Sequence, residues 1–157
     1  MITLEQIKEL RAQTGLSVMQ CQKALEEAGG LNLTGSDLMA KAIEILKAKG
    51  AEIAGSKGDR TLGAGSVVSY IHSGDTVGVL LELLSETDFV AKNPDFKSVA
   101  KEIAMHIAAM NPADTAELLG QPFIKDPAKN VSDLINNTVQ KFGERTEIGR
   151  FTRFSIK

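Results

Sequence analysis

Few side chains in this sequence belong to types that catalyse reactions or bind metals. The chain has two histidines, His72 and His106, and one cysteine, Cys21. His72 follows a predicted hairpin strand and His106 lies within a predicted helix, so an enzyme built on these histidines has weak support. A lone cysteine forms no internal disulfide and no cysteine-based metal cluster, which fits a reducing compartment. These residues favour a protein that acts by binding, without catalytic residue, metal or cofactor.

The glycine-rich segment GSKGDRTLGAG, residues 55–65, is the other candidate for ligand chemistry. A phosphate-binding loop needs a lysine after its last glycine, but Ala64 follows Gly63, and the dinucleotide-binding pattern lacks its third glycine. We interpret the segment as a linker, in which missing side chains leave the backbone free to vary.

Composition and charge limit the class of protein. Charged residues form 24% of the 157-residue chain and hydrophobic residues 43%, which is typical of a globular protein. The polar start MITLEQIKEL is unlike a secretion signal, and no apolar run is long enough to cross a membrane. We therefore expect a cytoplasmic protein without a membrane partner. A net charge of −2 argues against direct binding to nucleic acid, which normally needs a basic excess.

Residues 1–54 are predicted to form a bundle of three short helices, similar in outline to ubiquitin-associated domains. Gly15 ends the first helix, Ser17 caps the second, Ser36 caps the third and Gly50 ends it. The helices carry apolar stripes, which include Ile2, Leu4, Ile7, Leu10, Ala24, Leu25, Ala28, Leu38, Ala42, Ile45 and Leu46. A bundle of about fifty residues is near the lower limit of independent stability, so we expect a neighbour to help hold it.

Residues 66–157 are predicted to form an α+β core. The segments SVVSYI and VGVLLELL alternate like strands around a turn with Gly74, and EIGRFTRFSI is a plausible third strand. Two helical stripes complete the pattern, namely Phe96, Val99, Ala100, Ile103, Ala104, Ile107 and Ala108, and Val131, Leu134, Ile135, Thr138, Val139 and Phe142. Together they predict a two-layer core, a three-stranded antiparallel sheet covered by helices.

The segment SETDFVAKNPDF, residues 85–96, connects the second strand to the long helix. Asn93 and Pro94 suit the start of that helix, and Thr87 could cap a separate single turn. Such a turn would fix Asp88 and Phe89 at an exposed corner of the sheet. From the local sequence alone, Phe89 folding back into the core is the favoured alternative.

Several long motifs of this chain resemble the family of bacterial elongation factor Ts, the nucleotide exchange factors of elongation factor Tu. TDFVAKN is similar to the signature of that family, and ELRAQTGLSVMQCQKALEEAGG is similar to its amino-terminal signature. AMHIAAMNP, GQPFIKDPAKNVSDLI and IGRFTRFSI resemble segments of its core. These motifs are long, stand in the family's order and cover nearly the whole chain.

The resemblance implies which residues contact elongation factor Tu. Thr87, Asp88, Phe89 and Val90 of the TDFVAKN motif are all expected to contact this partner. Asp88 and Phe89 would insert near the magnesium and switch elements of the GTPase, with Phe89 as a wedge. His106 would lie nearby, and Val77 and Gly78 match a hairpin contact of the family. Val18 and Met19 match residues that grip a helix of the nucleotide domain, although Met19 could equally be a core residue.

The resemblance also bears on oligomeric state. Long members of the family carry two related core subdomains and a helical-hairpin insertion, whereas TDFVAKN and AMHIAAMNP occur once here. A homodimer could supply the second copy of the surface, so that Phe89 of one chain and His106 of the other face the same partner. Two further functions stay open, a peptide-binding module built on the amino-terminal helices and an enzyme using His72 and His106.

Overall fold

The computed structural model describes residues 1–156 and shows the predicted α+β fold. The elements in chain order are α1 Leu4–Thr14, α2 Val18–Gly29, α3 Gly35–Ser56, β1 Ala64–Ile71, β2 Val77–Ser85, α4 Asp88–Ala91, α5 Pro94–Met110, α6 Thr115–Gly120, β3 Pro122–Phe123, β4 Asp126–Asn130, α7 Val131–Phe142 and β5 Glu147–Ser155. None of these helices is both long and apolar enough to cross a membrane.

The first three helices form a bundle with a hydrophobic core of its own. Thr3 and Ser17 cap α1 and α2 through reciprocal capping boxes with Gln6 and Gln20. Gly15 ends α1 with φ of 68°, a left-handed conformation that favours glycine. The buried residues that hold the bundle together are Ile7, Leu10, Leu16, Cys21, Ala24, Leu25, Ala28, Leu38, Ala42 and Leu46.

The prediction that Gly50 ends the third helix is wrong. The predicted cap at Ser36 is wrong as well, because α3 starts at Gly35 after Thr34 and Ser36 lies within its first turn. The helix continues through Gly50 to Ser56. Gly50 lies where α3 crosses α7, and a Cβ atom there would lie 2.9 Å from Oε1 of Gln140 and 3.4 Å from the carbonyl oxygen of Asn136. The glycine is therefore explained by close helix packing, which sequence pattern alone does not distinguish from a helix stop.

The predicted linker is shorter than residues 55–65. α3 occupies its first two residues and β1 begins at Ala64, which leaves residues 57–63 between helix and strand. Arg145 contacts this connection, because its guanidinium donates a hydrogen bond of 2.6 Å to the carbonyl oxygen of Arg60. Arg60 in turn lies 3.6 Å from the carboxylate of Glu86.

The core sheet has three antiparallel strands in the order β1-β2-β5. Helix α5 packs on one face of this sheet and α7 packs against α5. Both predicted helical stripes are buried or half-buried at every position. The main core unites the inner face of the sheet with α4, α5, α6 and α7, and its fully buried large side chains include Leu81, Leu83, Phe96, Ile103, Ile107, Leu118 and Val131.

A bulge bends β5 opposite Glu82. The register passes from Leu81 opposite Phe151 to Leu83 opposite Ile148, so Gly149 and Arg150 together face Glu82. The Glu82 carboxylate accepts the backbone N–H of Arg150 at 3.0 Å and its Nε–H at 2.7 Å. The side-chain hydrogen bond from Arg150, with the backbone one, lowers the pKa of Glu82. The ion pair therefore stabilises the fold at neutral pH, and this contribution is lost as the pH falls through the acid range.

The opposite face of the sheet carries exposed apolar side chains. We call this surface the outer sheet face; Val67, Ile71, Leu80 and Phe154 are its exposed large apolar residues. They share a face because Ser69 pairs with Leu80, and Gly78 pairs with both Ile71 and Phe154. No helix of residues 1–156 packs on this face, so it is an apolar surface open to solvent.

Candidate partner-binding site

The segment that begins at Thr87 forms the predicted single turn, α4, at a corner of the sheet. Thr87 is its N-cap and accepts the backbone N–H of Val90. Val90, which the resemblance assigns to the partner contact, is instead buried against the sheet together with Ala91, whereas Phe89 is 86% exposed. The interpretation that Phe89 folds into the core is therefore wrong. Val90 and Ala91 occupy the side of the turn that faces the sheet, so the ring of Phe89 points into solvent.

The backbone of this corner is fixed at both ends by side chains from other elements. Ser85, which is fully buried, donates its hydroxyl to the carbonyl oxygen of Thr87 at 3.0 Å. Ser66 of β1 donates to the carbonyl oxygen of Ala91 at 2.6 Å. Glu144, beyond α7, accepts two hydrogen bonds from Thr87. Sequence reasoning missed these supports, since serines and glutamates of this kind carry no local signal of a long-range contact.

The start of the long helix follows the corner directly. Asn93 caps α5 by accepting the backbone N–H of Asp95 at 2.8 Å, and Pro94 occupies the first turn as predicted. Asp88 is exposed at the first position of α4, beside Phe89. The corner thus presents an acidic side chain and an aromatic ring together on a fixed backbone.

His106 lies in the interior of the core. Its side chain is fully buried and stacks on Phe123. Nδ1 accepts the backbone N–H of Ile124 at 3.2 Å, which leaves Nε2 to carry the proton and donate to Oε1 of Gln121 at 2.9 Å. The imidazole therefore anchors the short hairpin of β3 and β4 to α5, and it is not presented to a partner on the surface of the chain.

Val77 and Gly78 lie far from Phe89 in the same chain. They begin β2, and α4 follows the other end of this nine-residue strand, roughly 25 Å away at the usual rise per residue. Val77 instead lines a cavity of about 300 Å³ with Met105, Ala109 and Ile124. Met105 precedes His106 in sequence, and the backbone N–H of Ile124 is bonded to the His106 ring. The predicted contact residues of the core thus divide into two groups, at opposite ends of the sheet.

Val18 and Met19 form an exposed surface at the first turn of α2, with Met19 66% exposed. The bundle that carries them is held against the core. Asn137 of α7 donates from Nδ2 to the carbonyl oxygen of Thr14 at 3.0 Å. Lys141 pairs with Asp95 at 2.7 Å and lies next to Gly15. The loop before α2 is therefore close to the start of α5, which directly follows the Phe89 corner.

The arrangement at the corner is suited to binding. Within residues 1–156, no cluster of three or more His, Cys, Asp or Glu side chains could hold a metal ion. Nδ1 of His72 is hydrogen-bonded to the hydroxyl of Tyr70 at 3.0 Å. An exposed aromatic ring with an adjacent carboxylate, held on a fixed backbone, is typical of an anchor that inserts into another protein.

Comparison with known proteins identifies the family. The family model described as Elongation factor TS matches residues 86–157, which begin just before the Phe89 corner. Elongation factor Ts of Thermodesulfovibrio yellowstonii is 38% identical over 199 aligned positions, which cover 99% of this chain and 96% of that protein. The proteins of the same name from Acetivibrio thermocellus and Carboxydothermus hydrogenoformans are each 39% identical and are covered over 89% of their length.

The alignments also show a difference in length between this chain and its relatives. The alignment with the Thermodesulfovibrio yellowstonii protein has more positions than this chain has residues, so that relative contains internal residues without a counterpart here. At this level of identity, over nearly the full length of both proteins, the chain belongs to the elongation factor Ts family.

Proposed function

We propose that this protein is the guanine nucleotide exchange factor of elongation factor Tu and promotes GDP release during the elongation of protein synthesis in the cytoplasm. Membership of the elongation factor Ts family supports a role in translation. The observation that carries the finer proposal is Phe89, an 86% exposed aromatic ring on a buried and hydrogen-bonded turn.

Exchange by this route needs no covalent chemistry. A factor that binds the nucleotide-free GTPase more tightly than the GDP-bound form must, by reciprocity, weaken GDP binding by the same ratio. Burial of Phe89 in a crevice that opens only in the nucleotide-free partner would supply such a difference. Asp88 would direct the ring through hydrogen bonds, and the displaced magnesium and phosphate contacts would release the nucleotide. The protein uses no cofactor in this mechanism.

The amino-terminal bundle would provide a second contact. Val18 and Met19 are exposed apolar residues with no role in the core of the bundle. Because α3 packs on α7 and Asn137 bonds Thr14, this surface has a defined position relative to the core. We assign this surface to the contact with the nucleotide domain of the partner. At the Phe89 corner, Thr87 caps α4, and the buried Val90 attaches α4 to the sheet.

A homodimer would bring the two ends of the core to one partner. Phe89 lies at one end of the sheet, and Val77, Gly78 and the part of α5 around His106 lie at the other. One copy of the chain cannot place both ends on a single small crevice, whereas two copies related by a twofold axis can. The outer sheet face, with four exposed large apolar side chains, is the surface that a second copy would cover.

Release of labelled GDP from elongation factor Tu tests the proposal. Addition of this protein should accelerate release at concentrations below that of the GTPase, because an exchange factor turns over. Stoichiometric or absent acceleration would contradict it. The same preparation titrated with ubiquitin tests the peptide-binding alternative, for which saturable binding by the amino-terminal bundle without any effect on GDP release is expected.

A further inference from the structure

The turn between α7 and β5 makes a two-way contact with the Phe89 corner. The carboxylate of Glu144 accepts the backbone N–H of Thr87 at 3.0 Å and its hydroxyl at 2.7 Å. In the opposite direction, the carboxylate of Glu86 accepts the backbone N–H of Arg145 at 2.6 Å. Each segment thus gives one carboxylate to the backbone of the other, across a sequence separation of more than fifty residues.

The hydrogen bond from the Thr87 hydroxyl to Glu144 orients this hydroxyl so that it can cap α4. A hydroxyl has one hydrogen, and donation of this hydrogen to Glu144 leaves its lone pairs for the backbone N–H of Val90, 3.5 Å away. That bond starts α4 and sets where the next side chains point. A negative carboxylate beside the first N–H groups also favours the helix electrostatically.

Helix α4 has only four residues and cannot be stable by itself. Burial of Val90 and Ala91 attaches it to the sheet. Ser66 donates to the carbonyl oxygen of Ala91, and Ser85 donates to that of the cap residue Thr87. The contact from Glu144 is the one that bonds both the backbone N–H and the side chain of the cap. Its removal should leave the corner attached to the sheet but its cap less firmly ordered.

We propose that Glu144 is a positioning residue for Phe89, acting through Thr87, and this inference rests on the proposed exchange function. Glu144 does not need to touch the partner. It holds the cap so that the ring is directed outward before the partner arrives, and the ordering cost is then met during folding of this protein.

The test compares three variants in the GDP-release assay with elongation factor Tu. Glu144→Ala removes both hydrogen bonds, and the rate at saturating factor should fall about tenfold, since a positioned group that shifts by about 1 Å can lose more than this. Glu144→Gln keeps one acceptor oxygen for the Thr87 N–H and should lose less. Glu147→Ala is the matched control, because this nearby carboxylate bonds Arg145 and not the corner. A normal rate for Glu144→Ala would overturn the inference.

A double mutant separates positioning from general stability. If Glu144 acts only by directing Phe89, Glu144→Ala should have no further effect in a Phe89→Ala background. An equal effect in both backgrounds would overturn the inference while leaving the exchange function intact.

Amide hydrogen exchange gives a readout without the GTPase. The amides of Val90 and Lys92, which are bonded within α4, should exchange faster in Glu144→Ala than in Glu147→Ala. Equal amide exchange rates in the two variants would contradict the inference that Glu144 orders the corner. If the wild-type protein fails to release GDP, the proposed function fails, and this measurement still decides whether Glu144 orders the corner.

Discussion

The ring of His106 lies against Phe123 with ring centroids 5.9 Å apart and an angle of 29° between their planes. The histidine that the family resemblance assigns to the partner contact is thus a packed residue that joins α5 to β3. Any part it plays at the surface is indirect, through the hairpin that covers it. We therefore expect the structure of this end of the core to depend on His106.

We expect His106→Ala to destabilise the protein by about 2 to 4 kcal/mol, because it leaves a cavity and removes the acceptor of the Ile124 N–H. His72→Ala is the control, since His72 is exposed and its loss should change stability by about 0.5 kcal/mol or less. Chemical denaturation at pH 7 measures both values. Equal stability of the two variants would show that the buried contacts of His106 contribute nothing.

Phe89→Ala should keep the melting temperature of the wild type and lose most of the GDP-release activity. The ring is exposed, so folding gains little from it, whereas an interface anchor contributes about 2 to 4 kcal/mol to the complex. That loss corresponds to a fall of roughly 30-fold or more in affinity for the nucleotide-free partner. Leu31→Ala, which removes an exposed apolar side chain elsewhere, should be neutral. A cooperative melt combined with full activity would refute the wedge assignment.

Gly50→Leu should loosen the bundle from the core. The new side chain would collide with Gln140 and with the α7 backbone at Asn136, and overpacking of this kind typically costs about 1 to 3 kcal/mol. Gly55→Leu is matched in residue type and helix, but within residues 1–156 no heavy atom beyond the adjacent residues and the nearby helix backbone lies within 4 Å of a Cβ there. Calorimetry should show a lower melting temperature, or two separate transitions, for Gly50→Leu but not for Gly55→Leu. Identical transitions would mean that the helix crossing tolerates the added volume.

The proposed homodimer predicts that Leu80→Lys yields monomers, because Leu80 lies on the central strand of the outer sheet face. A lysine at a buried dimer contact would lose its hydration without gaining a partner. Ile124→Lys, at an exposed apolar residue away from this face, should leave the dimer intact. Light scattering after gel filtration distinguishes the states, and a wild-type monomer at all concentrations would exclude the dimer.

Much of the fold could be predicted from sequence because it depends on local patterns. The caps at Ser17, Thr87 and Asn93, the glycine at position 15 and the third strand were all expected from residue type and spacing, and the structure confirms them. The hairpin of β3 and β4 was not predicted, since its strands are short and its anchor is His106. The sequence wrongly predicts a helix end at Gly50, because a helix stop and a helix crossing both favour glycine.

The site was harder to predict than the fold. A cap at Thr87 offers an exposed Phe89 as one alternative, but the local sequence favours a buried ring. The resemblance to a family favours the exposed ring, which the structure shows. The support from Glu144 lay outside any local pattern, because residues 57 positions apart meet only after the sheet and α7 have packed. The contacts with elongation factor Tu stay predictions.

The attachment of α3 to α7 gives the protein a fixed span between its two proposed anchors. If Val18 and Met19 bind at one end of this span and Phe89 at the other, the second anchor engages at an effective concentration set by packing and not by chain flexibility. The distance between the two anchors is then fixed by the fold. A GTPase whose two receiving surfaces were spaced differently would be held by one anchor only, so selectivity among related GTPases would follow from distance as well as from chemistry.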